Sequence, residues 1–452
     1  MRKLTNVVVV AFSLLLFGGL FGESDAQWFD DFRTLDEINS RLDQNLASHS
    51  AIMTGEVIGQ SWEGRDIRAV KLRGTGGTKS VRPAVVLNGT VHAREWASPM
   101  VSMYSLEQLA NGYGSDAGIT SLLDEVDVYV MPMMNPDGYE YSWTTDRFWR
   151  KNRRPVGGGL RGVDLNRNFG FGWGLDSGSS DSPSSAVYRG TEPFSEPETQ
   201  AYRDFFLANQ NIVSHIDFHA YSQLILTPWG YRRGAAPDAE VLDRIAAEMS
   251  NSIEAVHGEF YNPIPSNLLY LASGISTDWT YGDQGAYAFT VELRPDNFDP
   301  GFELPAGEII PTGEENFEAV LKLLEFTQDL ASGDFNYDGD YDCSDLAVLG
   351  DAIVNGSNKA EFDVNGDGVA NADDLAAWRV SAGAATLANG GAFLPADANL
   401  DGNVDGSDFN IWNDHKFTQS NDFCSGDFNA DGFVDGSDFN ICLLYTSDAA
   451  DE

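Results

Sequence analysis

Apolar positions along the chain fall into short, dense runs that are separated by longer amphipathic stretches. Four runs are dense enough to be buried strands, and they span residues 84–87, 126–134, 212–218 and 286–293. Strands of this kind that alternate with helical stretches are typical of an open sheet with both faces covered. The pattern therefore predicts an α/β fold with a mixed, mostly parallel central sheet flanked by helices.

The last helical stretch of this pattern, residues 314–330, marks the end of the large domain. Its apolar residues recur at helical spacing and fall on one face, namely Phe317, Val320, Leu321 and Leu324. Ser332 and Gly333 follow, and glycine commonly ends a helix. We therefore expect one large domain at residues 27–332.

The first 26 residues have the pattern of a secretory signal peptide, residues 1–26. Arg2 and Lys3 precede an apolar run at residues 7–20, and Ser24 and Ala26 supply the small residues of a cleavage site. A membrane anchor is the alternative, but the run is short for a membrane-spanning helix and no other stretch is long enough. The sequence predicts an exported protein, extracellular or periplasmic, without a membrane span.

Charge is distributed unevenly along the chain. There are 28 basic and 69 acidic side chains, for a net charge of −41, which disfavours nucleic acid and anionic membranes as partners. Residues 334–452 contain 3 of the basic and 24 of the acidic side chains, about half of the net charge. The three cysteines all lie beyond residue 342, and a bridge between Cys343 and Cys424 is left open.

Candidate metal ligands follow two of the predicted strands. His92 and Glu95 lie just after the run 84–87, and His219 lies at the end of the run 212–218. Alone, the pair His92 and Glu95 is better explained as a solvated helix start. The carboxyl ends of strands gather at one edge of an open α/β sheet, however, and this would bring His219 to the pair. Two imidazoles, one carboxylate and an open position for water predict a catalytic zinc site.

Other polar groups stand near the same predicted strand ends. Glu292 lies inside the apolar run 286–293, where a carboxylate needs a role, either as a base for water or as the structural partner of Arg294. Basic residues occur at positions 150–151 and in the stretch 164–168. Guanidinium groups suit the recognition of carboxylates and the stabilisation of oxyanions.

Together these motifs resemble the metallocarboxypeptidases of the pancreatic carboxypeptidase A and B family. The resemblance covers residues 27–330 and rests on five motifs in order, which are His-Ala-Arg-Glu-Trp at 92–96, Trp-Arg-Lys at 149–151, Asp-Leu-Asn-Arg-Asn at 164–168, His-Ala-Tyr-Ser-Gln at 219–223 and Val-Glu-Leu-Arg at 291–294. It implies a secreted zinc exopeptidase that hydrolyses the C-terminal peptide bond of peptides and proteins. An inactive peptide-binding member is the alternative, but such a member would normally lack Glu292 or a metal ligand.

The resemblance implies a role for each matching residue around the metal. His92, Glu95 and His219 match the ligands of one zinc ion, and Asp164 matches the carboxylate that holds the ring of His92.

Further matches concern the reaction and the substrate. Glu292 matches the general base that activates the attacking water, and Arg150 matches the group that stabilises the oxyanion. The residues that would bind the substrate are Arg94, Asn166, Arg167, Tyr221 and Tyr270.

The pocket for the terminal side chain of the substrate would have Thr277 at its floor. In the family an acidic residue at this position selects Lys or Arg, so a neutral threonine implies neutral terminal residues, apolar or aromatic. Gly230 would leave space above Thr277. Two neighbours qualify this expectation, because Asp278 is acidic and Ile275 would narrow the pocket.

A different pattern fills residues 333–441, where one acidic unit occurs four times. Oxygen-bearing side chains at positions 1, 3, 5, 9 and 12 of each unit, with glycine at position 6, have the spacing of a calcium loop. These residues are Asp334, Asn336, Asp338, Asp342 and Asp345; Asp363, Asn365, Asp367, Asn371 and Asp374; Asp397, Asn399, Asp401, Asp405 and Asp408; Asp427, Asn429, Asp431, Asp435 and Asp438. The spacing predicts up to four structural Ca²⁺ ions, with a short helix after each loop.

These loops resemble dockerin repeats, although four are present where a dockerin usually has two. The resemblance implies a cohesin-type partner, and a role in spacing or cell-surface attachment is equally open. The chain is expected to be a monomer. Residues 442–452 break the repeat and read as a sequencing-adapter artefact, so they are left out of the interpretation.

Overall fold

The structure is a computed structural model that describes residues 27–448 apart from residues 78, 176–177 and 358. The predicted signal peptide at residues 1–26 lies outside the described residues. The strands are, in chain order, β1 (Met53–Gln60), β2 (Asp66–Leu72), β3 (Ala84–Gly89), β4 (Asp127–Met131), β5 (Pro155–Gly157), β6 (Leu160–Arg161), β7 (Ile212–Ala220), β8 (Leu224–Thr227), β9 (Asn262–Pro265), β10 (Tyr287–Leu293), β11 (Thr418–Gln419) and β12 (Phe433–Val434).

Eight of these strands form one mixed sheet in the order β1-β2-β4-β3-β7-β10-β8-β9. The four central strands, β4, β3, β7 and β10, all run parallel. Antiparallel pairs flank them, since β2 joins β4 on one side and β8 joins β10 on the other. The predicted α/β fold is confirmed, and its parallel part is the buried centre of the sheet.

The four apolar runs correspond to β3, β4, β7 and β10. The prediction for β4 was too long, because the strand ends at Met131 rather than at residue 134. Met133 and Met134 are nevertheless buried. Burial of the following turn, rather than strand pairing, explains why the apolar run continues there.

Helices cover both faces of the sheet. Alternate side chains of β3 point to opposite faces. Val85 and Leu87 belong to one apolar cluster, to which the helices Ala97–Gly112 and Ile309–Ser332 contribute buried side chains. Val86 belongs to a second cluster. The other helices of the large domain are Leu35–Ser48, Ala117–Glu125, Pro136–Thr144, Pro197–Ala208, Ala239–His257, Ser266–Leu269 and Ser276–Gly282, with 3-10 turns at Leu165–Arg167 and Ala306–Glu308.

The helix Ile309–Ser332 ends at the residue after which the sequence predicted a helix-ending glycine. It starts earlier than predicted, and Gly333 follows it with a φ of 111°, a left-handed conformation that glycine adopts without strain. Phe317, Val320 and Leu324 are buried, whereas Leu321 is only partly buried. Within residues 27–448, less the gaps, no helix is long and apolar enough to cross a membrane.

The repeats form a small helical module with an apolar core of its own. Its helices are Cys343–Val354, Ala372–Thr386, Gly406–His415 and Gly436–Asp448, and its 3-10 turns are Ala360–Phe362 and Phe423–Ser425. Leu346, Trp378 and Phe423 lie in its core cluster. A disulfide joins Cys343 to Cys424, which resolves the pairing that the sequence left open.

Candidate active site

Two central strands bring the candidate metal ligands together. The chain leaves β3 at Gly89 and enters the helix Ala97–Gly112, so His92 and Glu95 lie in the turn at the carboxyl end of the strand. His219 lies near the carboxyl end of β7, which pairs with β3 in parallel. The predicted approach of His219 to the other two residues is observed.

The three side chains form a compact, buried group. Their donor atoms all lie within 4.8 Å of one another. The Nδ1 atoms of His92 and His219 are 3.0 Å apart, and the Glu95 oxygens lie 2.8 Å and 2.9 Å from those two nitrogens. A divalent cation would satisfy both nitrogen lone pairs, and two histidines with one glutamate fit zinc. In the part of the chain that the structure describes, no other three His, Cys, Asp or Glu side chains meet in this way.

A carboxylate contacts the outer nitrogen of each imidazole. Asp164 Oδ1 is 3.2 Å from Nε2 of His92, as predicted. Asp217 Oδ2 is 3.1 Å from Nε2 of His219, a contact that sequence analysis missed. Residues two apart on a strand share one face, and that rule would have indicated Asp217. Both contacts favour a proton on Nε2 and so direct the Nδ1 lone pairs toward the centre of the group.

Electrostatics keep these carboxylates charged. Burial acts to raise the pKa of Glu95, but His92 and His219 outweigh it and hold that pKa below its usual range. Burial also opposes ionisation of Asp164, yet Arg150 and His92 hold its pKa well below the usual value. Both carboxylates are therefore ionised at neutral pH, and Glu95 can contribute its negative charge to the binding of a cation.

Glu292 stands beside the metal group. In the parallel pair of β7 and β10 it lies opposite His219. Burial raises its pKa to about 7. Arg294, the alternative partner, forms ion pairs with Glu308 and Glu315 instead. Among the described residues no side chain forms a hydrogen bond or ion pair with the Glu292 carboxylate, which leaves it available to a water molecule.

Arg150 is held at the same place by Asp164. Its Nε and Nη2 donate hydrogen bonds of 3.0 Å and 2.9 Å to Asp164 Oδ2. Its Nη1 lies 3.9 Å from Glu95 Oε1. One carboxylate thus orients both His92 and Arg150, a link that the sequence did not predict.

A cavity of about 380 Å³ opens next to the metal group. Five of the six residues predicted to bind substrate line this cavity, and they are Arg94, Asn166, Arg167, Tyr221 and Tyr270. Arg167 is held by a 2.6 Å hydrogen bond from its Nε to the carbonyl oxygen of Gly178. Asn166 Oδ1 accepts a 2.8 Å hydrogen bond from the N–H of Ser276.

The residue predicted to form the pocket floor does not line the cavity. Thr277 is only 1% exposed, and its hydroxyl lies 3.3 Å from that of Thr290, which does line the cavity. The space expected above Gly230 is filled, because a Cβ on Gly230 would lie 2.6 Å from Cδ1 of Ile275. Ile275 contributes to the cavity wall in place of Thr277.

Asp278, the acidic neighbour of Thr277, faces the backbone. Its Oδ1 accepts a 2.8 Å hydrogen bond from the N–H of Gly230, and its Oδ2 accepts a 2.8 Å hydrogen bond from the N–H of Tyr231. Burial raises its pKa to about 7. Asp278 does not line the cavity and supplies no acidic floor.

The four repeat loops share one hydrogen-bond pattern. The carboxylate at position 1 accepts bonds from the N–H groups of positions 5 and 6. The side chain at position 9 caps the next helix, and the carboxylate at position 12 accepts a bond from the N–H of position 9. None of the loops, so far as their residues are described, brings three acidic side chains as close as the group at His92. The calcium sites stay a prediction.

Known proteins resemble the large domain throughout. A family model described as zinc carboxypeptidase matches residues 38–319. Carboxypeptidase B of Astacus astacus is 41% identical over 306 residues, which cover 67% of this chain and 98% of that protein. Carboxypeptidase A1 of Rattus norvegicus is 39% identical over 306 residues, which cover 67% of this chain and 72% of that protein.

Solved structures agree with the fold. The structure of thrombin activatable fibrinolysis inhibitor matches with a TM-score of 0.65 and 34% identity, over 69% of this chain and 78% of that chain. Carboxypeptidase A from Helicoverpa armigera matches with a TM-score of 0.61 and 29% identity, over 67% of this chain and 75% of that chain. The chain therefore belongs to the zinc carboxypeptidase family and is a metallocarboxypeptidase of the A/B type, a zinc peptide hydrolase.

Proposed function

We propose that this protein is an exported exopeptidase that removes single neutral residues from the C-termini of peptides and proteins. The observation that carries the proposal is the buried group of His92, Glu95 and His219 with Glu292 opposite His219 in the sheet. A structural zinc site would have four protein ligands, whereas this group has three and opens onto a cavity.

His92 and His219 would hold the zinc ion through Nδ1, and Glu95 through its carboxylate. A zinc ion supplies Lewis-acid chemistry, since it lowers the pKa of water and polarises a carbonyl oxygen. Asp164 and Asp217 keep the two rings oriented through Nε2. Orientation of this kind matters because a rotated ring would turn its lone pair away from the ion.

Glu292 acts as general base and then as general acid. It takes a proton from the attacking water and later gives that proton to the nitrogen of the leaving residue. A pKa of about 7 suits both directions of transfer near neutral pH. Arg150 stabilises the negative oxygen that develops on the attacked carbonyl, and Asp164 holds its guanidinium in place.

The terminal carboxylate of the substrate would bind to Asn166, Arg167 and Tyr270, with Arg94 and Tyr221 along the approach. Arg167 is buried, with an exposed fraction of 2%. A buried guanidinium without an anion is unfavourable, and an internal peptide bond provides no anion at this position. This requirement restricts hydrolysis to the last residue of a chain.

A peptide library that varies only the last residue tests this function. We expect release of a single C-terminal residue, loss of release with a zinc chelator and recovery when zinc is restored. Glu292→Gln should reduce kcat by about 10²-fold to 10⁴-fold. Internal cleavage, release that persists in chelator, or faster release of Lys and Arg than of Leu and Phe would contradict the proposal.

The repeats would bind calcium and attach the enzyme to a partner. The carboxylates at positions 1 and 12 are buried in all four loops, where charged groups without a cation are unfavourable. Calcium held by the side chains at positions 1, 3, 5, 9 and 12 would offset that charge. The partner would be a cohesin-type module or a component of the cell surface, and a pull-down with and without calcium separates this role from that of a spacer.

A further inference from the structure

The apolar part of the active-site cavity is the region that would receive the last side chain of a substrate. Six apolar residues contribute to the cavity wall, namely Ala220, Leu226, Leu269, Ala272, Ile275 and Phe302. Among the residues that line this cavity, the only carboxylates belong to Glu95 and Glu292, at the metal group. The size of the accepted side chain therefore depends on how far these apolar residues fill the space.

Ile275 fills the space opposite Gly230. Its Cδ1 would lie 2.6 Å from a Cβ placed on Gly230, a distance that real Cβ atoms do not show. Glycine at position 230 thus makes room for the isoleucine and not for a ligand. Ile275 is itself only 6% exposed, so it is packed on its other sides as well.

Thr277 lies behind this wall. Its side chain is 1% exposed and meets the hydroxyl of Thr290, and only Thr290 of these two reaches the cavity. A substitution at position 277 alone would then place its new side chain in packed surroundings, out of contact with a substrate.

We infer that Ile275, rather than Thr277, sets the depth of the side-chain pocket and restricts the enzyme to small and aliphatic terminal residues such as Ala, Val and Leu. An aromatic ring would have to displace a packed isoleucine, and forced overpacking of this kind is unfavourable. The inference rests on the proposed exopeptidase function and narrows its substrate class.

The test compares kcat/KM for peptides that differ only in a terminal Ala, Val, Leu, Phe, Trp or Lys. The wild-type enzyme should release Leu at least about tenfold faster than Phe or Trp, and Ile275→Gly should raise the ratio of Phe to Leu by about tenfold or more. Ile275→Ala provides an intermediate change if the glycine variant fails to fold, as judged by circular dichroism.

A second pair of variants separates the two positions. Thr277→Asp alone should leave Lys release at its low level, whereas Ile275→Gly combined with Thr277→Asp should release Lys, because the shorter side chain uncovers the new carboxylate. Wild-type release of Phe or Trp as fast as Leu, or Lys release by Thr277→Asp alone, would overturn the inference. If no terminal residue is released from any peptide, the proposed function fails instead.

Discussion

The carboxyl group of Glu292 destabilises the fold when it is charged. Burial raises its pKa from 4.5 to about 7. The folded state therefore binds this proton more tightly than the unfolded chain, so the contribution to stability falls as pH rises from about 4.5 to about 7. The proposed reaction requires a base that titrates near neutral pH, so the burial that lowers stability also gives Glu292 a pKa that suits its role.

Glu292→Gln should be strongly impaired in catalysis and yet more stable than the wild type at pH 8 when zinc is removed from both. The amide carries no charge, so the variant should gain about 1 to 3 kcal/mol at pH 8 and almost nothing at pH 4. Denaturant unfolding of the chelator-treated proteins measures this difference. An equal gain at both pH values would show that the charge of Glu292 is not its cause.

Asp217 orients His219 as Asp164 orients His92. Its carboxylate accepts a 2.7 Å hydrogen bond from Asn88 Nδ2, which fixes it beside Nε2 of His219. Carboxylates in this position keep the ring in the tautomer that a metal needs.

Asp217→Asn should weaken zinc binding by about 10-fold to 100-fold. The expected change is read from zinc competition with a chelating dye, with circular dichroism to verify folding. Asp283→Asn, at an exposed aspartate that follows the helix Ser276–Gly282, is the control that should bind zinc as the wild type does. A zinc affinity in Asp217→Asn equal to that of the control would remove Asp217 from this role.

At the scale of elements, strands were predictable where burial is complete on both faces. Every residue of β3, β4 and β7 is buried, and their apolar runs are therefore dense. β1 is mostly exposed and β9 has no buried residue. Neither strand therefore has a dense apolar run by which the sequence could distinguish it from a loop. The sequence predicted the centre of the sheet for this reason and missed its edges.

The sequence predicted which strand ends meet at the site, but not which side chains face the cavity. His92, Glu95 and His219 meet because parallel strands end at one edge, and periodicity suffices to predict that. Whether Thr277 or Ile275 faces the cavity depends on the packing of Ile275 against Gly230. Sequence alone indicated that Ile275 would narrow the pocket but did not show that Thr277 lies outside the cavity lining.

Cys343→Ser should loosen the repeat module and leave the large domain intact. The disulfide to Cys424 spans a sequence separation of 81 residues, and loss of such a link costs about 4 kcal/mol in the chain-entropy description. Hydrogen exchange should become faster in the helix Cys343–Val354 and stay unchanged in β3. Val348→Ala, at an exposed position of the same helix, keeps the disulfide and is the matched control. Equal exchange in both variants would argue against a stabilising bond.

At the scale of the whole molecule, the repeat module packs on the large domain. The hydroxyl of Tyr337 donates a 2.8 Å hydrogen bond to Glu248, and its ring lies 4.8 Å from that of Phe326. The hydroxyl of Ser80 donates a 2.6 Å hydrogen bond to the carbonyl oxygen of Gly366, inside the second loop. A change in the conformation of these loops would therefore move residues that contact the large domain.

Calcium should remove the pH dependence of the module's stability. Burial raises the pKa of Asp427 to about 7 and the pKa values of Asp345 and Asp397 to about 6. Without calcium, stability should fall as pH rises from about 4 to about 7, because the folded module binds these protons more tightly than the unfolded chain and loses that advantage as the carboxylates ionise. Calcium should remove this loss by offsetting the charge.

Proteolysis of the full chain at pH 5 and pH 8, with calcium or with a calcium chelator, measures this effect. The module should be cleaved readily only at pH 8 in the chelator. Asp427→Asn should partly protect the module there, because it removes one buried charge. A rate of cleavage that is the same with and without calcium and at both pH values would contradict a calcium-binding role.

The central claim is that His92, Glu95 and His219 bind one zinc ion. Its most direct test is the zinc content of the purified protein and of His219→Ala, measured by mass spectrometry after dialysis against zinc at micromolar concentration. We expect one zinc per chain in the wild type and close to none in the variant. Equal zinc content in the two proteins would contradict the account.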